Sequence, residues 1–247
     1  QHRASEWSSQ SKDRETPALA AVADLDPLLA SLADSLRGTE EDVKRELRAY
    51  VPLLRESGIF ADILDLGCGR GEWLGLLKEE GLHAYGVETN LLLIQRAREQ
   101  GLNVVEADAL AHLRSLPAES LQAVTAFHLM EHLHFEQLVQ LLLEVKRTLK
   151  PGGLVVLETP NPKNLVVAAC NFYADPTHHK PLFPETLKSV FDYVGFVNIT
   201  VEFLHPVDDS PFDAKTPQSE ALKTWLFGPC DFAIVARKDP TSSTGQL

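Results

Sequence analysis

The sequence predicts an α/β fold, a mostly parallel sheet with helices on both faces, preceded by helices at the N-terminus. Three observations carry that prediction. From residue 59 onward, short apolar runs alternate with longer stretches of helical spacing. Gly or Asp follows most of the apolar runs, where a strand would hand over to a helix. At 247 residues, 44% of them apolar, the chain is long enough to bury one sizeable core. Strands that alternate with helices form parallel sheets covered on both sides.

Residues 1–17 are polar and aperiodic and are expected to form a flexible tail. Residues 18–58 read as a helical segment. Helical spacing over 18–36 is broken near Pro27 and stopped by Gly38. Thr39 followed by Asp42 resembles a capping box with Asp in place of Glu. Over 40–56, Val43, Leu47 and Tyr50/Val51 then share one helical face up to Gly58. The main domain is expected over 59–238. Strands are expected at 59–67, 83–88, 103–108, 121–128 and 153–159. Helices are expected at 71–81, 90–101 and 135–150, the last ended by Pro151 and Gly152. A helix at 184–195, a strand-like run at 196–204 and a closing strand at 230–238 complete the pattern. Residues 160–183 and 205–229 break the rhythm and are expected to be long loops that hold substrate or cover the site. Residues 239–247 read as a second flexible tail.

Charge and cysteine usage narrow the partners. Lys+Arg total 23 and Asp+Glu total 35, a formal net charge of −12. Such a surface repels phosphate backbones and anionic membranes, so neither nucleic acid nor stable membrane insertion is expected. No apolar run is long enough to span a bilayer, and the start of the chain has no apolar signal-peptide core. Cys68, Cys170 and Cys230 are too scattered for a disulfide framework, which fits a reducing, cytoplasmic setting. The N-terminal helices offer a surface for a homodimer contact.

The most informative segment is Asp65-Leu66-Gly67-Cys68-Gly69-Arg70-Gly71, which follows an apolar strand and opens a helix. Glycines there allow a sharp turn and bring backbone N–H groups close to a ligand. GxGxG differs from the GxGxxG of dinucleotide sites. Glu88 ends the second strand, where a carboxylate can accept two ribose hydroxyls. Asp108 ends the third, where a carboxylate can take an adenine amino proton. Three ligand groups thus sit at the carboxyl ends of neighbouring strands, the usual crevice of an open α/β sheet.

With DLGCGRGEW (65–73), GVETN (86–90), EADAL (106–110), FHLMEHL (127–133) and LKPGGLVVLETPNP (149–162), residues 59–238 resemble class I S-adenosylmethionine-dependent methyltransferases. The resemblance implies a Rossmann-like seven-stranded sheet whose last strand is antiparallel. It implies S-adenosylmethionine as cofactor, with Gly67 and Gly69 under its methionine part, Glu88 on the ribose, and Asp108 with Ala109 at the adenine. Asp65, Thr89, Phe127 and His128 complete the implied cofactor contacts. A Rossmann-like protein that binds NAD is the alternative.

The fourth strand is followed by His128-Leu129-Met130-Glu131-His132. On a helix, positions 128, 131 and 132 share one face. Two imidazoles and a carboxylate can then converge on a divalent cation. Asp175-Pro176-Thr177-His178-His179 lies in the irregular 160–183 segment and can fold over the same mouth. Three readings stay open: polar lining, a metal-free general base at His132 or His178, or a metal site that activates a hydroxyl acceptor. HxxEH also matches an inverted zinc-peptidase motif, the basis of a metallohydrolase alternative. The ExxEH pattern with a distant His is similar to the metal site of small-RNA 3′-terminal 2′-O-methyltransferases and to quinone-pathway O-methyltransferases. Here His128 replaces the first acid, so the expected ligands are His128, Glu131, His132 and His178. Mg²⁺ or Mn²⁺ is the candidate ion, although the added nitrogen favours a softer one.

Residues 159–187 and 36–54 resemble bacterial methyltransferases of polysaccharide biosynthesis, including O-antigen chain terminators and a mycobacterial mannose-oligosaccharide enzyme. That implies a methyl transfer to a saccharide hydroxyl or a terminal phosphate, with His132, His178 and Glu131 as catalytic residues. A small-molecule, quinone-like acceptor and a catalytically silent scaffold are the alternatives. Trp73, Phe172, Tyr173 and Trp225 are candidate sugar-stacking rings, otherwise core. Arg48 and Tyr50 are candidates to close over the cofactor carboxylate, otherwise a solvated helix face. Cys68 is expected to pack as a small apolar residue.

Overall fold

The computed structural model describes residues 25–207, 210–212 and 215–241. The expected tail at 1–17, residues 18–24 of the helical segment and residues 242–247 lie outside the described residues.

Among the described residues, three helices come first: α1 (Asp26–Leu36), α2 (Glu40–Leu47) and α3 (Val51–Glu56). Pro27 stands in the first turn of α1, so it starts that helix rather than breaking it. The missing N–H of proline costs nothing there. Thr39 Oγ1 accepts from the Asp42 backbone N–H at 3.2 Å and caps α2. The helix expected over 40–56 is divided by a 3₁₀ turn at Arg48–Tyr50. Pro52 cannot donate to the carbonyl of residue 48, and its ring crowds that carbonyl, so the chain tightens there.

The sheet holds β1 (Ile63–Leu66), β2 (Ala84–Glu88), β3 (Val104–Glu106), β4 (Leu121–Phe127), β5 (Leu149–Pro160), β6 (Phe196–Pro206) and β7 (Pro229–Lys238). Its order is β3-β2-β1-β4-β5-β7-β6, and β7 runs antiparallel to both of its neighbours. The intervening helices are α4 (Glu72–Glu79), α5 (Leu91–Glu99), α6 (Ala109–Ser115), α7 (Phe135–Thr148), α8 (Leu165–Ala169), α9 (Pro184–Val194) and α10 (Pro217–Phe227). This is the seven-stranded sheet with an antiparallel last strand that the resemblance implies. The 160–183 and 205–229 segments are not plain loops, since α8 and α10 fold within them.

Side chains on the strands alternate between two cores. One face packs Leu64, Val124, Val155 and Phe232 against α7 and α9 through Leu138, Leu142, Val145 and Phe191. The other packs Ile63, Ala123, Val156 and Ala233 against α4, α2 and α3 through Trp73, Leu76, Leu77, Leu47 and Leu54. Each fully buried Leu contributes about 1.5–3 kcal/mol of apolar transfer free energy. The N-terminal helices therefore roof one face of the sheet. Chain order reverses between β1 and β4, which opens a crevice beyond their carboxyl ends.

Candidate active site

That crevice is a cleft of about 850 Å³. Asp65, Gly67, Gly69, Glu88, Thr89, Asp108, Ala109, Phe127, His128, His132 and His178 all line it. Glu131 lies just beneath its floor, 1% exposed.

The glycine turn forms because φ is +65° at Gly67 and +54° at Gly69, the left-handed region that favours glycine. A Cβ on Gly69 would stand 3.2 Å from Arg37 Nη1, and one on Gly86 would stand 2.4 Å from Cys68 Sγ. The loop is thus seated tightly on β2, with Cys68 packed inside. Burial pushes the Cys68 thiol up, so it stays neutral.

Glu88 organises the far side of the turn. Its carboxylate accepts the backbone N–H of Gly69 at 3.0 Å, Thr89 at 2.8 Å and Asn90 at 3.0 Å. Asp108 lies past the end of β3 and caps α6, accepting from Ala111 N–H at 2.9 Å. Asp65 is buried and accepts from Thr125 Oγ1 at 2.7 Å. Burial raises its carboxyl to about 7.

The cleft is large enough for a nucleoside-sized ligand. Its left-handed glycines, its two strand-end carboxylates and its Arg37 cation fit the adenosyl, ribose and amino-acid parts of S-adenosylmethionine. Arg37, at the end of α1, donates from Nη2 to the Phe127 carbonyl at 3.2 Å and hangs over the glycine turn. It takes the place expected of Arg48 and Tyr50. Arg48 points outward and pairs with Glu80 at 2.9 Å. Tyr50 is buried and donates its hydroxyl to Glu158.

Beyond β4, the HLMEH segment is a 3₁₀ turn at Met130–His132 rather than an α-helix. That turn brings Glu131 and His132 against His178, with one ligand atom from each within 4.8 Å of the others. Hydrogen bonds fix the tautomers. His178 Nδ1 lies 2.7 Å from the Phe172 carbonyl, so Nδ1 carries the proton and Nε2 keeps its lone pair. Nε2 of His178 stands 3.9 Å from Glu131 Oε1. Thr177 Oγ1 donates to Asp175 at 2.5 Å and lies 2.8 Å from His132 Nδ1. His132 therefore donates from Nδ1 and also keeps its Nε2 lone pair. Burial lowers the basicity of His132, which favours the neutral ring. Two imidazole lone pairs and a carboxylate thus meet at one wall of the cleft. They can accept a proton from a ligand or hold a divalent cation. His179 stays outside this group, exposed and stacked on His134 at 4.0 Å.

His128 does not join them as a ligand. Its backbone φ is +56°, and its Nδ1 lies 3.2 Å from Glu131 Oε1. Nε2 is therefore aimed the other way, 3.5 Å from Glu158 and 3.9 Å from Asp231. The expected four-residue metal set is thus split. The cause is the left-handed backbone at His128, which turns its ring toward β5 and β7. Burial opposes charge on His128, but the carboxylates of Glu131 and Glu158 beside it hold its pKa well above the ordinary imidazole value.

Glu158, Asp231 and Arg37 were given no role by the sequence motifs, and Thr177 lay unassigned within the Asp175–His179 cluster. Buried Asn161 and Asn164 donate to the Pro229 and Gly228 carbonyls, both at 2.9 Å. They stitch the segment after β5 to the start of β7 and bring Asp231 to the cleft. Trp73 and Phe172 are core, whereas Tyr173 and Trp225 are 63% and 51% exposed.

Comparisons with known proteins agree with this geometry. Residues 36–201 match the family model described as a methyltransferase domain. A solved S-adenosylmethionine-dependent methyltransferase from Archaeoglobus fulgidus is 39% identical, with a TM-score of 0.76 over 84% of this chain and 98% of that one. A probable S-adenosylmethionine-dependent methyltransferase of Mycolicibacterium smegmatis is 28% identical over 62% of this chain. A tRNA U34 carboxymethyltransferase of Pseudoalteromonas translucida is 29% identical over 57% of it. The matches span only 59% and 46% of those two relatives. With a matching family model over most of its length and a seven-stranded sheet that opens on a glycine-lined cleft, the chain belongs to the S-adenosylmethionine-dependent methyltransferases.

Proposed function

We propose that the chain transfers a methyl group to an oxygen, and that the acceptor is a saccharide hydroxyl. The observation that carries this reading is the meeting of Glu131, His132 and His178 at the cleft wall, beyond the strand end that carries Phe127. S-adenosylmethionine, when bound, supplies an electrophilic methyl group on a sulfonium. The protein's task is then alignment and control of a proton.

In this reading Glu88 holds the ribose, Asp108 and Ala109 the adenine, and Arg37 the amino-acid carboxylate. His132 Nε2 takes the acceptor's proton. Thr177 and Asp175, in line behind Nδ1, stabilise the imidazolium that forms. Although burial pushes it up, hydrogen bonds from Thr177 keep the Asp175 carboxyl below its ordinary value. A divalent cation would be held by Glu131, His132 and His178, and would lower the pKa of the acceptor hydroxyl. Base and ligand roles use the same lone pair of His132, so chelation separates them.

Exposed Tyr173, beside the lining residues Phe172 and Ala174, offers a ring face to a sugar. A net charge of −12 suits a neutral glycan better than an RNA backbone. The test is a methyl-transfer screen on mannose and rhamnose oligosaccharides, plain and phosphorylated, with and without chelator. Transfer to a plain oligosaccharide supports the reading. Transfer only to phosphorylated ones moves the acceptor to the phosphate, and transfer to none of them overturns it.

A further inference from the structure

On the other side of His128 lies a second group of ligating side chains. His128 Nε2, a Glu158 carboxylate oxygen and an Asp231 carboxylate oxygen all lie within 4.8 Å of one another. All three residues line the cleft. We propose that His128, Glu158 and Asp231 form a second divalent-cation site, separate from Glu131, His132 and His178, for a first-row ion such as Mn²⁺. The inference rests on the proposed methyl-transfer reading for its purpose, since the ion's remaining coordination positions would face the same cleft.

The distances favour a shared ion over direct pairing. His128 Nε2 lies 3.5 Å from Glu158 Oε1 and 3.9 Å from Asp231 Oδ1. Both are at or beyond the limit of a hydrogen bond. Ligands at about 2.1 Å from one cation stand about 3.0–3.4 Å apart, so the three side chains would draw in by a few tenths of an ångström or more to hold an ion.

Each ligand except Asp231 is already oriented. Glu131 Oε1 accepts from His128 Nδ1 at 3.2 Å, so Nε2, whose proton a bound cation would displace, is the nitrogen that faces Glu158 and Asp231. This is the carboxylate–histidine arrangement that positions a metal ligand. Tyr50 donates to Glu158 Oε2, and His205 Nε2 lies 3.3 Å from the same oxygen. Oε1 is therefore the oxygen aimed at His128. The left-handed backbone of His128 is an uncommon conformation for a non-glycine residue, and it is what points the ring into this group.

Charge points the same way. Glu131, Glu158 and Asp231 cluster around one imidazole, with His205 on the outer side of Glu158. One nitrogen and two carboxylate oxygens suit Mn²⁺ or another first-row ion, and three protein ligands leave positions open for a ligand.

The test counts ions. Chelator-treated protein is titrated with Mn²⁺, free Mn²⁺ is read by electron paramagnetic resonance, and S-adenosylhomocysteine binding checks that each variant is folded. The wild type is expected to bind two ions per chain. Asp231→Asn is expected to lose one, and so is His178→Ala, with the double variant binding none. One ion in the wild type, lost in Asp231→Asn but kept in His178→Ala, supports the new site and removes the metal role of the first group. One ion lost only in His178→Ala overturns the inference and leaves the proposed function standing. No ion in the wild type overturns it as well, and leaves the general-base form of the proposed function. A folded Asp231→Asn with wild-type stoichiometry also overturns it.

Discussion

Thr177 Oγ1 lies 2.8 Å from His132 Nδ1, which ties the segment after β5 to the turn after β4. Neither segment makes a site alone. The contact sets the His132 tautomer, and with it the direction of the only lone pair the ring can offer. Thr177→Val keeps the shape and removes the hydroxyl. We expect turnover to fall about 10–100-fold, as for loss of a group that orients a histidine. S-adenosylhomocysteine affinity should not change. Calorimetry and steady-state kinetics on one preparation check both halves, and wild-type turnover would contradict the role.

Glu88→Gln keeps the volume of the side chain but removes the charge that three backbone N–H groups share. Calorimetric affinity for S-adenosylhomocysteine should weaken by about 1.5–3 kcal/mol, the worth of hydrogen bonds to a charged group. An unchanged affinity would take Glu88 off the ribose.

Arg37→Met keeps the long stem and loses the guanidinium that hangs over the glycine turn. Affinity for S-adenosylhomocysteine is expected to drop about tenfold or more, as for one charge-assisted hydrogen bond. A decarboxylated analogue should bind wild type and variant equally. If both ligands lose the same affinity, Arg37 shapes the glycine turn rather than reading the carboxylate.

Gly86→Ala would place a Cβ 2.4 Å from Cys68 Sγ and 2.8 Å from Leu74 Cδ1. Overpacking of this kind costs about 1–3 kcal/mol. Urea unfolding should show that loss, and cofactor affinity should fall with it, because the displaced group is the glycine turn itself. Wild-type stability would show that the turn has room to give.

Asp65 gives a pH signature. Burial raises its carboxyl to about 7, above an unfolded value near 4. The folded chain therefore holds this proton where the unfolded chain has released it. The associated stability is fully present below the unfolded value and is lost as pH rises toward 7. Asp65→Asn removes the titration and still accepts from Thr125. Relative to wild type it should gain stability between pH 4 and 7, and urea unfolding across that range checks the slope. A difference that does not vary with pH would contradict the assignment.

The fold was legible in the sequence because its signals are local. Apolar runs, glycine stops and caps such as Thr39 and Asn90 act within a few residues. The cofactor turn was legible for the same reason. What was hidden depends on contacts far apart in the chain. Arg37 reaches the glycine turn only because α1 packs beside α5, where Arg96 pairs with Asp34 at 2.9 Å. Asp231 reaches the cleft because β7 pairs with the end of β5, where it stands opposite Pro160, and because Asn161 and Asn164 hold the start of β7. His128 looked like a ligand beside Glu131 and His132 because a helix was assumed. The 3₁₀ turn and a left-handed φ at one residue send it elsewhere. Such a conformation leaves little trace in a residue pattern when the residue is not glycine.

The most direct measurement follows an isotopically labelled methyl group from S-adenosylmethionine into defined oligosaccharides and locates it in the product by NMR. The label is expected on a sugar oxygen as an ether, and its transfer should be lost in His178→Ala while S-adenosylhomocysteine still binds. Label on nitrogen or carbon, or no saccharide labelled by a chain that binds the cofactor, would contradict the account.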